Sequence, residues 1–172
     1  MKFNDWLNSS PNIICMHDSM LACFEFDKHF FDDYILFRWA IVPWLRKCYD
    51  ELIEIDQYIG DADFLLVDQV FYKPKIKKLL LSSGVCAVDM EVAGNDYKDG
   101  IFSVFARDGC ERYLSIDFTF EKFLTRVFKA VSEKEYYEDN NKFDIKYDIA
   151  KFSLQDFEQG KGYLNVDNFD IK

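Results

Sequence analysis

Two histidines, five cysteines and several closely spaced aspartates are the residues of this chain that could carry chemistry. His17 and Asp18 are adjacent, as in sites that bind a metal ion for phosphoester hydrolysis. Such a site needs further histidine and aspartate ligands, and His29 is the one histidine left. The sequence also holds no G-x-S-x-G, no glycine-rich phosphate loop and no H-E-x-x-H motif. A hydrolytic or metal centre of a usual kind is therefore not predicted.

A zinc site can be written from Cys15, His17, Cys23 and His29, but the steps of two, six and six residues match none of the usual ligand spacings. The five cysteines fall among apolar neighbours, which predicts buried thiols in a reducing compartment. A cysteine nucleophile with one of the histidines as its base stays open, because the sequence does not favour one thiol over another.

Asp61-Ala62-Asp63 has the form of the metal clamp that holds a divalent ion against a diphosphate in nucleotide-sugar enzymes. In those enzymes the clamp follows a strand, whereas here it follows a helical pattern and Gly60. Either aspartate is instead predicted to cap a helix that begins at Phe64. No metal and no cofactor is predicted.

The chain is strongly acidic. Thirty-one aspartates and glutamates against 21 lysines and arginines give a formal net charge of −10. This charge repels phosphate backbones and anionic lipids, so we expect no direct binding of nucleic acid or of a membrane. The residues are 49% hydrophobic, which is too apolar for a disordered chain, so the acids must lie on a folded surface. Ordinary solubility and a basic partner protein both account for such a surface.

Acids and aromatics occur together in two stretches, one before residue 35 and one after residue 132. Carboxylates steer the approach of a basic protein, and aromatic side chains supply contacts that lose their water on binding. A solvated helix end and a mobile loop are the simpler interpretation of the two stretches. The candidate partner-binding residues are Asp32, Asp33, Tyr34, Glu133, Glu135, Tyr136, Tyr137, Glu138 and Asp139.

Residues 1–84 are predicted to be mainly helical, because their apolar side chains recur at steps of three and four. The main element is a helix over residues 29–60 that ends at Gly60 and either kinks near Pro43 or restarts there. Trp44 is expected to widen the apolar face of this helix. The shorter helical segments are predicted at residues 3–7, 64–71 and 75–84. Residues 13–26 form an apolar run that suits a strand or a helix, and a helix is favoured there.

From Val85 onward the apolar period changes to two, which predicts strands in an antiparallel meander with a tight turn at Asp108-Gly109. A helix near residues 120–131, capped by Thr119, is expected to cover the sheet. The predicted fold is thus a single α+β domain over residues 1–172, with a helical N-terminal half packed on an antiparallel, meander-like β-sheet. The strands are predicted at residues 85–92, 101–106, 111–118, 143–149 and 163–169.

In composition the chain resembles the immunity proteins that bacteria pair with polymorphic or contact-dependent toxins. These are small, acidic, cytoplasmic domains without an active-site signature, and SEKEYYEDNN at residues 132–141 is the kind of acidic aromatic loop they carry. The resemblance implies inhibition of a cognate and basic toxin by direct protein contact. It carries over no functional residues, because no motif is shared.

Two alternatives to this function stay open. One is an acidic mimic of nucleic acid that inhibits a DNA-binding protein, and the other is a small enzyme with a cysteine or carboxylate–metal site. The N-terminal residues MKFNDWLNSSPN hold one lysine and no apolar run, so neither a secretion signal nor a membrane span is predicted there. We therefore expect a cytoplasmic protein.

Overall fold

The computed structural model describes residues 1–25, 34–60, 62–82, 86–107, 112–137 and 152–166. About half of the described residues belong to one antiparallel sheet, and the helices are short. The helices are α1 (Phe3–Leu7), α2 (Pro43–Arg46), α3 (Asp50–Ile59), α4 (Glu133–Tyr137) and α5 (Leu154–Gln159). The strands are β1 (Met20–Glu25), β2 (Tyr34–Ile41), β3 (Phe64–Tyr72), β4 (Lys75–Leu81), β5 (Cys86–Lys98), β6 (Ile101–Arg107), β7 (Tyr113–Thr119) and β8 (Lys122–Val131).

The eight strands form one sheet in the order β4-β7-β6-β5-β1-β2-β3-β8. Every neighbouring pair is antiparallel. The predicted meander of consecutive strands is confirmed for β5, β6 and β7. Asp99 and Gly100 join β5 to β6 with φ angles of 53° and 78°, which is the geometry of a primed two-residue turn. The turn predicted at Asp108-Gly109 lies outside the described residues.

The sheet bends back on itself at one corner. Tyr72 at the end of β3 pairs with Lys122, and Lys75 at the start of β4 pairs with Thr119. The pairing therefore continues from β3 and β8 into β7 and β4, and the backbone N–H of Glu121 donates to Tyr72 O across the bend at 3.0 Å. The bend brings the two ends of the strand order together around a common apolar interior.

The interior is closed by the N-terminal segment, whose side chains Phe3, Trp6 and Leu7 are buried in the main core. Helix α1 covers residues 3–7, where the sequence predicts a short helical segment. Asn8 pairs with the backbone of Thr125 on β8, donating to its C=O at 3.0 Å and accepting from its N–H at 2.6 Å. The segment thereby occupies part of the outer edge of β8, which would otherwise have unpaired backbone groups.

The predicted fold class is wrong in its helical half. Residues 34–41 of the supposed long helix are β2, residues 64–72 are β3, and the supposed helical segment at 75–84 contains β4. Residues 20–25 within the 13–26 segment are β1. Two details of the prediction are confirmed. Pro43 begins a new helix, and Gly60 ends α3 with a φ of 73°.

The predicted covering helix near residues 120–131 is also wrong, since Lys122–Val131 form strand β8. On β8, Phe123 and Val127 pack into the main core, while Leu124 and Phe128 pack on the opposite face of the sheet. A strand buried on both faces has apolar side chains in both parities. In β8 the apolar residues of the two faces, taken together, recur at steps of three and four, which is the spacing expected of a helix.

Two strands are also predicted near the C-terminal end of the chain. The strand predicted at residues 143–149 lies outside the described residues. Residues 163–166 of the strand predicted at 163–169 are described and are irregular rather than extended in a sheet. This segment, together with α5, packs through Phe157 and Tyr163 over the outer face of β2, β3 and β8.

Candidate functional site

Three helices gather at one end of the sheet. Ile41 at the end of β2 pairs with Leu65 near the start of β3, and Leu65 pairs with Ala130 near the end of β8. Because α2 and α3 connect β2 to β3 and α4 follows β8, all three lie at this end. We call α2, α3, α4 and the connecting residues Gly60, Ala62 and Asp63 the helical end.

A buried arginine holds the helical end together. Arg46, the last residue of α2, is 1% exposed, and its Nε donates to Asp56 Oδ1 on α3 at 2.7 Å. Its Nη1 donates to the carbonyl oxygen of Ile41 at 2.6 Å, and its Nη2 donates to that of Ala62. The planar guanidinium can satisfy these acceptors at once, so it fixes α2 and α3 against the end of β2.

Asp63 attaches α4 to the same centre. Its carboxylate Oδ2 accepts the backbone N–H of Glu133 at 2.6 Å, which satisfies an orphan donor of the first helical turn. Its carbonyl oxygen accepts from Arg46 Nη1 at 3.4 Å. The predicted capping of a helix at Phe64 is wrong, because Phe64 begins a strand. Asp63 caps a helix that is distant in sequence instead.

The two tyrosines of α4 have different environments. Tyr136 is fully buried, with its ring centroid 4.5 Å from that of Phe64, in a cluster that also holds Leu66 and Val131. Tyr137 is 46% exposed, and its ring meets that of Phe64 at 5.9 Å. Tyr136 therefore anchors α4 to the sheet, while Tyr137 presents an aromatic face at the surface.

Trp44 is a second exposed aromatic at the helical end. It is 50% exposed on α2, and Val42 just before α2 packs against the cluster that contains Tyr136. Exposed or half-exposed carboxylates outnumber the exposed lysines Lys47 and Lys134 in these helices. The carboxylates are those of Asp50, Glu51, Glu54, Glu133 and Glu135, together with Asp56, which is paired with Arg46. The surface thus combines two aromatic side chains with a local excess of negative charge.

The described members of the predicted partner-binding set do not form one surface. Glu133, Glu135 and Tyr137 are exposed at the helical end, whereas Tyr136 is buried there. Tyr34 lies at the opposite end of β2, about 25 Å away by the length of an eight-residue strand, and its ring packs against Phe152 at 5.6 Å. The remaining candidates lie outside the described residues, and they are Asp32, Asp33, Glu138 and Asp139.

Sequence reasoning missed two residues of the helical end. The sequence predicts Trp44 on the apolar face of a long helix, but the new helix at Pro43 places it outward while Leu45 and Arg46 are buried. Of the two predicted alternatives, a kink or a restart at Pro43, the structure shows the restart. No pattern in the sequence marks Arg46 as buried, because its acceptors come from three separate segments.

The cysteine and histidine side chains that the structure describes, those of Cys15, His17 and Cys48, are all exposed. Cys15 and Cys48 are exposed thiols outside any disulfide, so their predicted burial is wrong. His17 Nδ1 lies 3.0 Å from Asp18 Oδ2, with both side chains exposed. Within the described part of the chain, no group of three or more His, Cys, Asp or Glu side chains is placed to hold a metal ion.

A second polar centre lies on the outer face of β2 and β3. Arg38 and Asp68 form a two-point ion pair, with Nε–Oδ1 at 2.7 Å and Nη2–Oδ2 at 2.9 Å, and Asp68 is completely buried. The hydroxyl of Tyr163 donates to Asp68 Oδ2 at 2.7 Å, and the Arg38 guanidinium lies 4.1 Å above the ring of Phe128. The C-terminal segment closes over this pair, so the centre fastens that segment to the sheet.

Alkaline pH is expected to destabilise the protein through Tyr163. Burial, followed by the charge of Asp68 and the hydrogen bond to it, raises the pKa of the Tyr163 hydroxyl well above its usual value of 10. Above pH 10 the unfolded chain releases this proton while the folded chain keeps it, so the unfolded state binds fewer protons and stability falls as pH rises. Urea unfolding between neutral pH and pH 11 measures this slope.

Tyr163→Phe should be less stable than the wild type at neutral pH, because the hydrogen bond to Asp68 is lost. Its stability should nevertheless fall less steeply above pH 10. Tyr113→Phe changes an exposed tyrosine and should keep the wild-type slope. An unchanged slope in Tyr163→Phe would show that this hydroxyl does not carry the alkaline loss.

Among the described residues, no helix has both the length and the apolar character needed to cross a bilayer. Comparisons of the chain with protein-family models, curated proteins and solved structures found no match, so its function has to be inferred from its own residues.

Proposed function

We propose that this chain is a non-enzymatic binding protein that captures a basic protein through the helical end. Its role would be that of an immunity protein, which neutralises a cognate toxin in the bacterial cytoplasm by direct contact. The observation that carries the proposal is the exposure of Trp44 and Tyr137 among carboxylates at one end of the sheet.

The two aromatics supply the short-range part of binding. Tryptophan and tyrosine are enriched among the interface residues whose truncation costs most, because they bury a large area with few rotatable bonds. Arg46 and Tyr136 hold the helices that carry them in place before a partner arrives. Little conformational entropy would therefore be lost on binding.

The carboxylates supply the long-range part. A net charge of −10 attracts a basic protein before contact, which raises the association rate constant. Asp50, Glu133 and Glu135 place exposed negative charge beside the aromatics. Because attraction between exposed charges is screened beyond about 8 Å at physiological ionic strength, the association rate should fall as salt is added.

The proposal is tested by partner capture with matched variants. Wild-type protein is used to retrieve partners from the source cells, and binding of a retrieved protein is then measured for Trp44→Ala, Tyr137→Ala and the control Tyr113→Ala. Each helical-end variant should weaken binding by roughly tenfold or more, mainly through faster dissociation. Tyr113→Ala removes an exposed aromatic of β7 and should bind as the wild type does.

The charge and the immunity role have separate readouts. Glu133→Gln with Glu135→Gln should slow association and reduce its dependence on salt, with a smaller effect on dissociation. Expression of the retrieved partner should stop growth of cells that lack this chain, and the double variant Trp44→Ala/Tyr137→Ala should protect them less than the wild type does. A partner that binds all variants equally would place the interface elsewhere, and a harmless partner would remove the immunity role.

A further inference from the structure

The outer face of β5, β6 and β7 contains a groove that shares no residue with the helical end. Its volume is about 280 Å³, near the lower limit for small-ligand sites. The described residues leave it open, whereas α4 and α5 pack over the outer face of β2, β3 and β8. Its lining includes Gly94, Asp96, Ser103, Phe105, Ser115 and Asp117.

Small residues on three neighbouring strands create the groove. Gly94, Phe105 and Ser115 lie opposite one another in one row across the sheet. Because Gly94 and Ser115 are small, the ring of Phe105, which is 42% exposed, stands above both of its neighbours. A Cβ atom added at Gly94 would meet nothing within 4 Å, so the missing side chain of this glycine contributes to the open space.

Two carboxylates flank the next row. Asp96, Ser103 and Asp117 lie opposite one another, which separates the two aspartate backbones by two strand spacings, about 10 Å. Asp96 Oδ1 accepts the backbone N–H of Tyr97 at 2.8 Å. Lys78 is opposite Asp117 on β4, but among the described residues no ion pair joins the two side chains. The groove therefore carries negative charge beside an exposed aromatic ring.

We propose that this groove binds the arginine side chain of a partner protein. A guanidinium over Ser103 would lie between the two carboxylates, each within reach of a charge-assisted hydrogen bond, with its flat face toward the ring of Phe105. Arginine fits better than lysine, because its planar group donates in two directions, stacks on aromatic rings and is more weakly hydrated. The inference goes beyond the proposed function and does not depend on the helical end.

The test uses small probes and the full chain. Isotope-labelled protein is titrated with N-acetyl-arginine amide, N-acetyl-lysine amide and the neutral isostere N-acetyl-citrulline amide, and the backbone amide signals are followed by NMR. The arginine probe should shift signals of residues 94–96, 103–105 and 115–117 with millimolar affinity. The citrulline probe should bind about tenfold more weakly or worse, because it carries no charge.

Three variants complete the test. Gly94→Val fills the groove at a strand position with space for a side chain, and it should abolish binding while the spectrum stays that of a folded sheet. Asp117→Asn should weaken binding about tenfold, whereas Asp99→Asn makes the same change of charge in the β5–β6 turn and should leave it unchanged. The proposal is overturned if the groove signals do not move, if lysine or citrulline binds as well as arginine, or if Gly94→Val binds normally.

Discussion

Asp68→Asn is expected to lower the free energy of unfolding by about 3–5 kcal/mol, because it leaves the charge of Arg38 buried without its partner. The pair is joined by two hydrogen bonds, and Asp68 is completely buried. The substitution keeps the size of the side chain, so the loss reflects charge rather than a cavity. Urea unfolding measures the change without adding salt, and an unchanged m-value would show that the two-state comparison holds.

Replacing Arg38, Asp68 and Tyr163 together should lower the free energy of unfolding much less than removing the charge of Asp68 alone. The triple variant Arg38→Met/Asp68→Leu/Tyr163→Phe removes both charges and the hydroxyl that donates to Asp68. Apolar groups of similar volume often replace a buried ion pair with little loss of stability. We therefore expect the triple variant to be more stable than Asp68→Asn. A triple variant as unstable as the sum of its single substitutions would show that the pair itself stabilises the fold.

The part of the fold that the sequence predicts well is the part with one buried face. On β7 the buried side chains of Leu114, Ile116 and Phe118 alternate with polar neighbours, so the period of two is visible in the sequence. On β6 burial alternates in the same way, although Phe105 on its outer face is apolar. The predicted meander of β5, β6 and β7 follows from this alternation.

Strands β2 and β3, which the sequence wrongly predicts as helices, are buried on both faces, whereas β4, also predicted as a helix, is a mostly exposed edge strand. On β2, Phe37 and Trp39 pack into the main core while Leu36 and Ala40 pack under the C-terminal segment and α4. A strand in this setting loses its alternation and becomes a continuous apolar run. What covers the second face is distant in the chain, so no local pattern distinguishes such a strand from a helix.

At the helical end, too, the sequence predicts what depends on neighbouring residues and misses what depends on contacts distant in the chain. Glu133, Glu135 and Tyr137 are exposed, as a polar acidic stretch suggests, and they need no distant partner to be identified. Tyr136 is identical in type to its neighbour, and only its packing against Phe64 decides that it is buried. The separation of Tyr34 from this surface likewise depends on strand pairing rather than on composition.

Arg46→Met is expected to lower the free energy of unfolding by about 3–4 kcal/mol and to loosen the helical end more than the sheet. It leaves the carboxylate of Asp56 and the carbonyl groups of Ile41 and Ala62 without their donor. Arg46→Lys keeps the charge but not the planar fork, so it should recover only part of the loss. Lys47→Met removes an exposed positive charge next in sequence and should change stability little.

Native-state hydrogen exchange separates this local role from a general loss of stability. In Arg46→Met the amides of α2, α3 and α4 should exchange faster by a larger factor than those of β6 and β7. Because Arg46 is buried and cannot touch a partner, weaker partner binding in this variant would have to act through the placement of Trp44 and Tyr137. Uniform acceleration of exchange in helices and sheet, with unchanged partner binding, would mean that Arg46 stabilises the fold without positioning the surface that we propose for binding.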